Sequence, residues 1–196
     1  MPEGKPIKLT PAKGRPMLQW VGKRPLDRVT AFPAQLIERF SPVLDAQGEG
    51  LIFHGDNKDV LAWLLANGYR GKINLVYIDP PFDSGADYVR KIELRGLSST
   101  RLDGEMYSLG EQVQYTDIWA NDNYLQFMYE RLLMLKELLT EDGSLYLHCD
   151  WNKSHLLRCI LEEVFSPEFL RNEVVWKRTS ARSDSKTYNH IHDTIY

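Results

Sequence analysis

The sequence lacks the usual marks of membrane, exported and disulfide-stabilised proteins. It has only two cysteines in 196 residues, Cys149 and Cys159, and both lie in segments whose apolar patterns are typical of strand and helix. That placement favours reduced thiols over a disulfide framework. No run approaches the roughly 18 apolar residues that span a bilayer, and the N-terminus lacks the apolar core of a secretory signal. We therefore expect a cytoplasmic protein that does not bind membranes.

A strong charge imbalance is also missing, because the formal net charge at pH 7 is only -3. Bulk charge alone therefore does not indicate a nucleic-acid partner. Basic side chains nevertheless gather in two segments, which are either solvated surface or contacts for phosphate groups. They are Lys5, Lys8, Lys13, Arg15, Lys23, Arg24 and Arg28 near the N-terminus and Arg171, Lys177, Arg178, Arg182 and Lys186 near the C-terminus.

A glycine-rich loop for holding a nucleotide is absent as well. Such a loop directly follows a strand and opens a helix, whereas the Gly-x-Gly at residues 48 to 50 precedes a predicted strand. The last residues, Ile195 and Tyr196, lie inside an apolar strand pattern without a cap or a polar tail. We therefore expect an N-terminal fragment, in which a loop of this kind either follows Tyr196 in the complete protein or does not exist.

What the sequence does contain, from Leu51 onward, is an alternation of strand and helix patterns. The run INLVYI is continuous and rich in β-branched residues, which is typical of a strand covered on both faces in a parallel sheet. The alternation predicts an α/β fold with a doubly wound, mostly parallel sheet. The predicted strands are LIFH (51–54), INLVYI (73–78), SLYLHC (144–149), EVVWK (173–177) and HDTIY (192–196), and the predicted helices start at Asn57, after a cap at Asp122 or Asn123, and at Ser154.

The patterns also divide the chain into regions. Residues 1–50 are rich in proline, lysine and glycine and are predicted as an N-terminal arm with a brief helix near Phe32 to Phe40. Residues 51–196 form the predicted domain. Within it, residues 83–121 make a connection far longer than usual for structureless loops, so we predict a functional lid, a small inserted subdomain or disorder there.

The most informative stretch is Asp79-Pro80-Pro81-Phe82, which directly follows INLVYI. Open parallel sheets bind ligands at the carboxyl ends of their strands. Each proline lacks an N–H and keeps its predecessor extended, so the carbonyls of Asp79 and Pro80 become rigid acceptors. Together with the Asp79 carboxylate and the Phe82 ring, they suit a planar group that donates two N–H bonds, such as the exocyclic amine of a nucleobase.

Such an amine is a poor nucleophile, because its lone pair is delocalised into the ring. Two acceptors that hold its hydrogens favour a pyramidal nitrogen and free the lone pair for direct methyl transfer. The alternative is structural, since short motifs occur by chance. In that case the strand ends in a tight proline turn and Phe82 packs into the core.

The segment INLVYIDPPFDSG resembles the catalytic D-P-P-Y/F segment of amino-directed DNA methyltransferases. The match continues in order through YTDIW, the long YLQFMYERLLMLKELLTEDGSLYLHCDW stretch, SHLLRCILEEVF, RNEVVWKR and HDTIY, and LIFHGDN precedes it. From about Leu51 to Tyr196 the chain is similar to the permuted beta group, which includes the modification subunits of Type III restriction systems. The resemblance implies a Rossmann-like methyltransferase fold that is incomplete here, with the cofactor loop and the target-recognition region later in the chain.

The resemblance also implies roles for individual residues. Asp79, Pro80, Pro81 and Phe82 match the catalytic segment that holds the target amine and stacks the base. Asp56 and Asp79 match positions near S-adenosyl-L-methionine, with Asp56 close to its adenosine. A second interpretation of Asp56 is the N-cap of the helix that starts at Asn57. The implied partner is double-stranded DNA with a flipped adenine, and a restriction subunit and a homodimer are further partners that the resemblance allows.

The implied activity is site-specific transfer of a methyl group from S-adenosyl-L-methionine to the exocyclic N6 of adenine in DNA. Asp rather than Ser at the start of the motif favours adenine over N4 of cytosine. One alternative is an inactive truncated remnant with at most weak nucleic-acid binding. Another is the same amine chemistry on RNA or on a protein glutamine.

Two other kinds of chemistry are disfavoured. Histidine and carboxylate groups can bind metal, but direct methyl transfer needs none, and we expect no metal at either candidate cluster. Neither cysteine follows a proline, as the nucleophile of a carbon-5 cytosine methyltransferase would, so we expect no covalent intermediate. The candidate clusters for metal are His148, Asp150 and His155, and His190, His192 and Asp193.

Overall fold

The computed structural model describes residues 4–12, 17–39, 50–82, 87–91, 111–116, 123–180 and 190–196. Strands and helices alternate over much of this range. In chain order they are β1 (Lys5–Lys8), β2 (Arg28–Ala31), α1 (Asn57–Ala66), β3 (Ile73–Ile78), β4 (Asp87–Lys91), β5 (Glu111–Thr116), α2 (Asn123–Leu138), β6 (Leu139–Asp150), α3 (Ser154–Phe165), a 3-10 helix (Pro167–Phe169), β7 (Val174–Lys177) and β8 (His192–Ile195).

The main sheet has the strand order β3-β6-β8-β7. β3 is parallel to β6, while β8 is antiparallel to both β6 and β7. β3, β6 and β7 therefore run in one direction and β8 runs against them. The predicted α/β class is confirmed, but the mostly parallel pairing is wrong for the described sheet. An apolar pattern predicts that HDTIY is a strand and carries no information on its direction.

One face of this sheet packs on the helices. Val76 of β3 and Leu147 and Cys149 of β6 are buried in a core cluster that also contains residues of α1, α2 and α3. Helical spacing predicts five inward residues in α3. Four of them are buried and Phe165 is half-buried against the core; the four are Leu157, Ile160, Leu161 and Val164.

The opposite face, which we call the open face, carries large exposed side chains. Leu75 and Tyr77 on β3 are each 60% exposed, so the prediction that INLVYI is covered on both faces is wrong for the described residues. An apolar run indicates that a strand can be buried on both sides, but it does not supply the second covering layer. The open face consists of Leu75, Tyr77, Tyr146, Val174 and Trp176, with His148 at its rim.

The N-terminal region contributes to the same core. β1 and β2 form an antiparallel ribbon, and Leu9, Trp20, Val29 and Ala31 join the core cluster. The helix predicted near Phe32 to Phe40 is wrong, because residues 32–39 have no regular structure and all are exposed. A short helix needs an apolar face packed on the core to be stable. The strand predicted at LIFH is also wrong, since residues 51–54 pair with no strand.

Between β3 and α2, β4 and β5 pair antiparallel. The remainder of the predicted lid, residues 83–86, 92–110 and 117–121, lies outside the described residues, and its role stays a prediction. The division at residue 50 also stays a prediction. In the described parts of the chain, none of the helices has both the length and the apolar character needed to cross a bilayer.

Candidate active site

The predicted catalytic segment lies at one end of the sheet. β3 ends at Ile78 and Asp79 follows it, while the parallel neighbour β6 continues to Asp150. The register pairs Ile78 with Leu147, so the next position on each strand brings Asp79 beside His148. Because both strands run the same way, the two side chains meet at the edge where open α/β sheets bind ligands.

His148 connects Asp79 to the interior of the sheet. Its Nδ1 lies 3.0 Å from Asp79 Oδ1, and its Nε2 lies 3.4 Å from Asp193 Oδ2. Arg178 Nη1 in turn donates to Asp193 Oδ1 at 3.3 Å. The Asp79 side chain remains 56% exposed, whereas that of Asp193 is only 3% exposed. The exposed Asp79 carboxylate is therefore one end of a row of polar contacts that continues to the buried Asp193 carboxylate.

Phe82 lies against the same histidine. The ring centroids of Phe82 and His148 are 5.3 Å apart with an interplanar angle of 88°, which is an edge-to-face contact. Phe82 is half-buried and lies outside the core cluster, so it does not fill the core as the structural alternative required. Pro80 and Pro81 are also half-buried. The structure thus places both the carboxylate and the aromatic ring of the motif in contact with His148.

Another buried carboxylate adjoins the network at the end of β6. Asp150 faces Asp193 in the β6–β8 register. Burial raises the pKa of Asp150, and the Asp193 carboxylate raises it further, while backbone N–H groups of Asn152 and Lys153 oppose the shift. Asp150 accepts from the Asn152 N–H at 3.0 Å, at the turn that leads into α3.

Asp56, the other predicted site residue, is the N-cap of α1. Its Oδ1 accepts from the backbone N–H of Lys58 at 2.8 Å and contacts Arg131 Nη2 at 3.2 Å. The cap interpretation is therefore confirmed. The Asp56 side chain is 58% exposed. Among its contacts with described residues Asp79 does not occur, and its role toward a cofactor stays a prediction.

Three residues of the network were not predicted for this role. His148 and Asp193 were considered only as metal ligands, and Arg178 only as part of a basic segment. In the described part of the chain, no three histidine, cysteine or acidic side chains are grouped to hold a metal ion. The sequence signal that could have identified His148 was its position. It is the penultimate residue of the predicted strand SLYLHC, and the βαβ pattern makes that strand a neighbour of INLVYI.

Comparison with known proteins adds a family match. The model of the DNA methylase family N6_N4_Mtase matches residues 73–196. The chain is 28% identical over 181 residues to the Type III restriction-modification enzyme EcoP15I Mod subunit of Escherichia coli, which covers 86% of this chain and 28% of that protein. It is 26% identical over 191 residues to the EcoPI Mod subunit of Escherichia phage P1, covering 91% of this chain and 29% of that protein.

A third relative belongs to a different type of system. The Type II methyltransferase M.EcaI of Enterobacter cloacae is 28% identical over 141 residues, covering 71% of this chain and 27% of the relative. The chain thus spans less than a third of the length of each of these relatives.

Proposed function

Because the chain belongs to the DNA methylase family, we propose that it is part of an enzyme that methylates the exocyclic N6 of adenine in DNA, with S-adenosyl-L-methionine as donor. One observation carries the proposal. The Asp79 carboxylate, directly after β3, is exposed at the rim of the sheet and contacts His148. The Phe82 ring packs edge to face against the same histidine. A carboxylate acceptor beside an aromatic ring suits an extruded base that offers an amine.

In the proposed reaction, Asp79 accepts a hydrogen bond from the target amine and the adjacent backbone carbonyl of the motif accepts the second. This arrangement favours a pyramidal nitrogen whose lone pair can attack a methyl group. S-adenosyl-L-methionine, when bound, supplies that methyl group on a positively charged sulfur. Transfer would form the new N–C bond and break the bond between the methyl carbon and sulfur, whose electron pair would stay on the sulfur as a neutral thioether. The amine would become cationic, and its extra proton would leave through Asp79 or solvent. Phe82 stacks on the base and offsets part of the cost of extrusion.

The described residues also suit the proposed donor at Asp56. Both of its contacts with Lys58 and Arg131 use Oδ1. Oδ2 of this exposed side chain can therefore accept from ribose hydroxyls without breaking the cap. We also propose that Asp79 lies near the bound donor, because the resemblance to amino-directed DNA methyltransferases implies this position.

The relatives support the choice of partner. Mod subunits of Type III systems and a Type II methyltransferase are among them, so we propose double-stranded DNA with a flipped adenine as substrate and a restriction subunit as partner. Because the matched family model is named for both N6 and N4, N4 of cytosine is the second candidate target. The cytoplasmic location and a homodimer remain predictions from the sequence.

The test measures methyl transfer by the full-length protein from labelled S-adenosyl-L-methionine to duplex DNA, RNA and protein. Nucleoside analysis of the product should show N6-methyladenine. Asp79→Ala should lower kcat by about 10²–10³-fold, the loss seen when one acceptor or donor at a reacting centre is removed. Asp142→Ala, an exposed carboxylate in the first half of β6, is the matched control and should keep activity.

The outcomes separate the alternatives. N4-methylcytosine in the product would identify N4 of cytosine as the target. Label in RNA or protein alone would contradict DNA as the substrate. A fully active Asp79→Ala protein would contradict the role given to the motif. An inactive wild-type protein would support the remnant alternative.

A further inference from the structure

The described polar network crosses the whole sheet in the order of its strands. Asp79 follows β3, His148 is on β6, Asp193 is on β8 and Arg178 follows β7, and the sheet order is β3-β6-β8-β7. Each residue contacts the next, with distances of 3.0, 3.4 and 3.3 Å between the closest polar atoms. Carboxylates alternate with an imidazole and a guanidinium along this row.

The burial of the row increases from Asp79 toward Asp193. The exposed fraction of the side chain is 56% for Asp79, 17% for His148 and 3% for Asp193. An exposed carboxylate on a turn can rotate freely, whereas a carboxylate bonded to a buried imidazole has a restricted orientation. Of the two Asp79 oxygens, only Oδ1 contacts His148. Among the described residues none bonds to Oδ2, which can accept from a ligand at the rim.

The same imidazole also limits the position of Phe82, whose ring it meets edge to face. A shift of His148 would therefore disturb the amine acceptor and the stacking ring together. Asp193 lies at the opposite ring nitrogen, and its second oxygen is bonded to Arg178. An imidazole that donates to Asp79 through Nδ1 can also donate to Asp193 through Nε2 only in the doubly protonated form.

We propose that His148 is a positioning residue that donates Nδ1–H to Asp79 Oδ1 and thereby orients Oδ2 toward the target amine, with Asp193 and Arg178 holding the imidazole in place. The inference rests on the proposed methyl transfer and adds a residue outside the Asp-Pro-Pro-Phe segment. It requires no additional cofactor and no covalent step at the histidine.

Substitutions at His148 can separate positioning from folding. His148→Asn places an amide N–H near the site of Nδ1, His148→Gln places one nearer Nε2, and His148→Leu has no donor. In the full-length protein, His148→Leu should lower kcat about ten- to hundredfold, the effect expected for one charge-assisted hydrogen bond, with little change in KM for DNA. His148→Asn should recover most of the loss, and His148→Gln less. His155→Leu, an exposed histidine on α3, is the matched control.

Thermal unfolding of each variant is measured beside kcat. If activity falls only in proportion to the unfolded fraction, or if His148→Asn is no better than His148→Leu, the inference is wrong. A second readout does not depend on activity. In the ¹⁵N-histidine-labelled protein, the spectrum of His148, assigned by its loss in His148→Gln, should show a protonated Nδ1 whose signal shifts in Asp79→Asn.

The two readouts also separate this inference from the proposed function. A His148 protonated only at Nε2 would overturn the inference even in an active enzyme. A wild-type protein that transfers no methyl group would contradict the proposed function, while the spectrum would still decide whether His148 donates to Asp79.

Discussion

At the scale of single residues, Asp56 has one observed role, as the N-cap of α1, and one proposed role toward the methyl donor, and a pair of substitutions can separate them. Asn caps helices about as well as Asp, whereas Ala costs about 1 kcal/mol at this position. Asp56→Asn should therefore unfold in urea close to the wild type, because the exposed contact with Arg131 adds little, and Asp56→Ala should be less stable. Both should raise KM for S-adenosyl-L-methionine, since both remove the charged acceptor. An unchanged KM in Asp56→Asn would leave Asp56 as a helix cap alone.

Cys149 makes stability depend on pH in a defined direction. Burial, with smaller contributions from nearby carboxylates, raises the pKa of the Cys149 thiol to about 12. A thiol in the unfolded chain ionises near pH 8.5, roughly. Between these values the folded state keeps a proton that the unfolded state has lost, so this contribution is complete below the window and is lost as pH rises through it.

Urea unfolding at about pH 8 and about pH 10.5 tests this expectation. The free energy of unfolding should fall more between the two conditions in the wild type than in Cys149→Ala, which lacks the ionising group. In the folded wild type at the lower pH, Cys149 should also resist alkylation, because the thiolate is the reactive form. Equal pH dependence in the two proteins would show that the thiol does not contribute.

The residue scale also shows how far the site could be predicted from sequence. Asp79 and Phe82 could be proposed as site residues because the two prolines between them and the apolar run before them form a local sequence pattern. His148 and Asp193 were not assigned to Asp79, because their contacts depend on strand register and on the antiparallel insertion of β8. Register and strand order arise from tertiary packing, which residue spacing alone does not report.

At the scale of elements, an ion pair attaches the N-terminal region to α3. Lys23 Nζ lies 2.6 Å from Glu163 Oε1, and the two side chains are only 9% and 1% exposed. Glu163 also accepts from the Leu18 N–H at 3.0 Å, and the Lys23 ammonium lies 4.5 Å from the centroid of the Trp20 ring. Buried, dehydrated charged groups thus attach the N-terminal region to α3.

Removing one partner should cost more than removing both. Glu163→Leu leaves the Lys23 charge buried without compensation, so we expect a loss of about 3–5 kcal/mol in the free energy of unfolding. The double variant Lys23→Met/Glu163→Leu should recover part of it, since apolar pairs often replace buried ion pairs at little cost. Urea unfolding of both single variants and the double variant measures the coupling. Additive effects would show that the ion pair does not stabilise the attachment.

Element boundaries were predictable where local chemistry specifies them. α3 starts at Ser154 and α1 follows its Asp56 cap, as predicted. The end of α2 was not, because Asp142 and Gly143, residue types that often end a helix, lie within β6, where the register with β3 shifts. A Cβ at Gly143 would lie 3.0 Å from the Ile73 carbonyl oxygen. The glycine is therefore explained by close approach of β3, a contact between distant segments.

At the scale of the whole molecule, the open face is the largest difference between the predicted and the observed structure. It exposes five large side chains, Leu75, Tyr77, Tyr146, Val174 and Trp176, each by 46% or more. In the described sheet β3 is also an edge strand, paired only with β6. Contiguous exposed apolar side chains and an unpaired strand edge both favour association between chains. Sequence patterns predicted the four strands of this sheet but not which of their faces would be covered.

The isolated 196-residue chain should therefore self-associate through this face. Leu75→Thr/Tyr77→Thr keeps residues that favour strands while removing apolar area, so it should lower light scattering and binding of a hydrophobic dye at equal concentration. The free energy of unfolding should change by no more than about 0.5 kcal/mol per site, as is usual for exposed positions. Ile52→Thr, at a residue that is 90% exposed and on no strand, is the control and should scatter like the wild type. Undiminished scattering in the double variant would place the association elsewhere on the molecule.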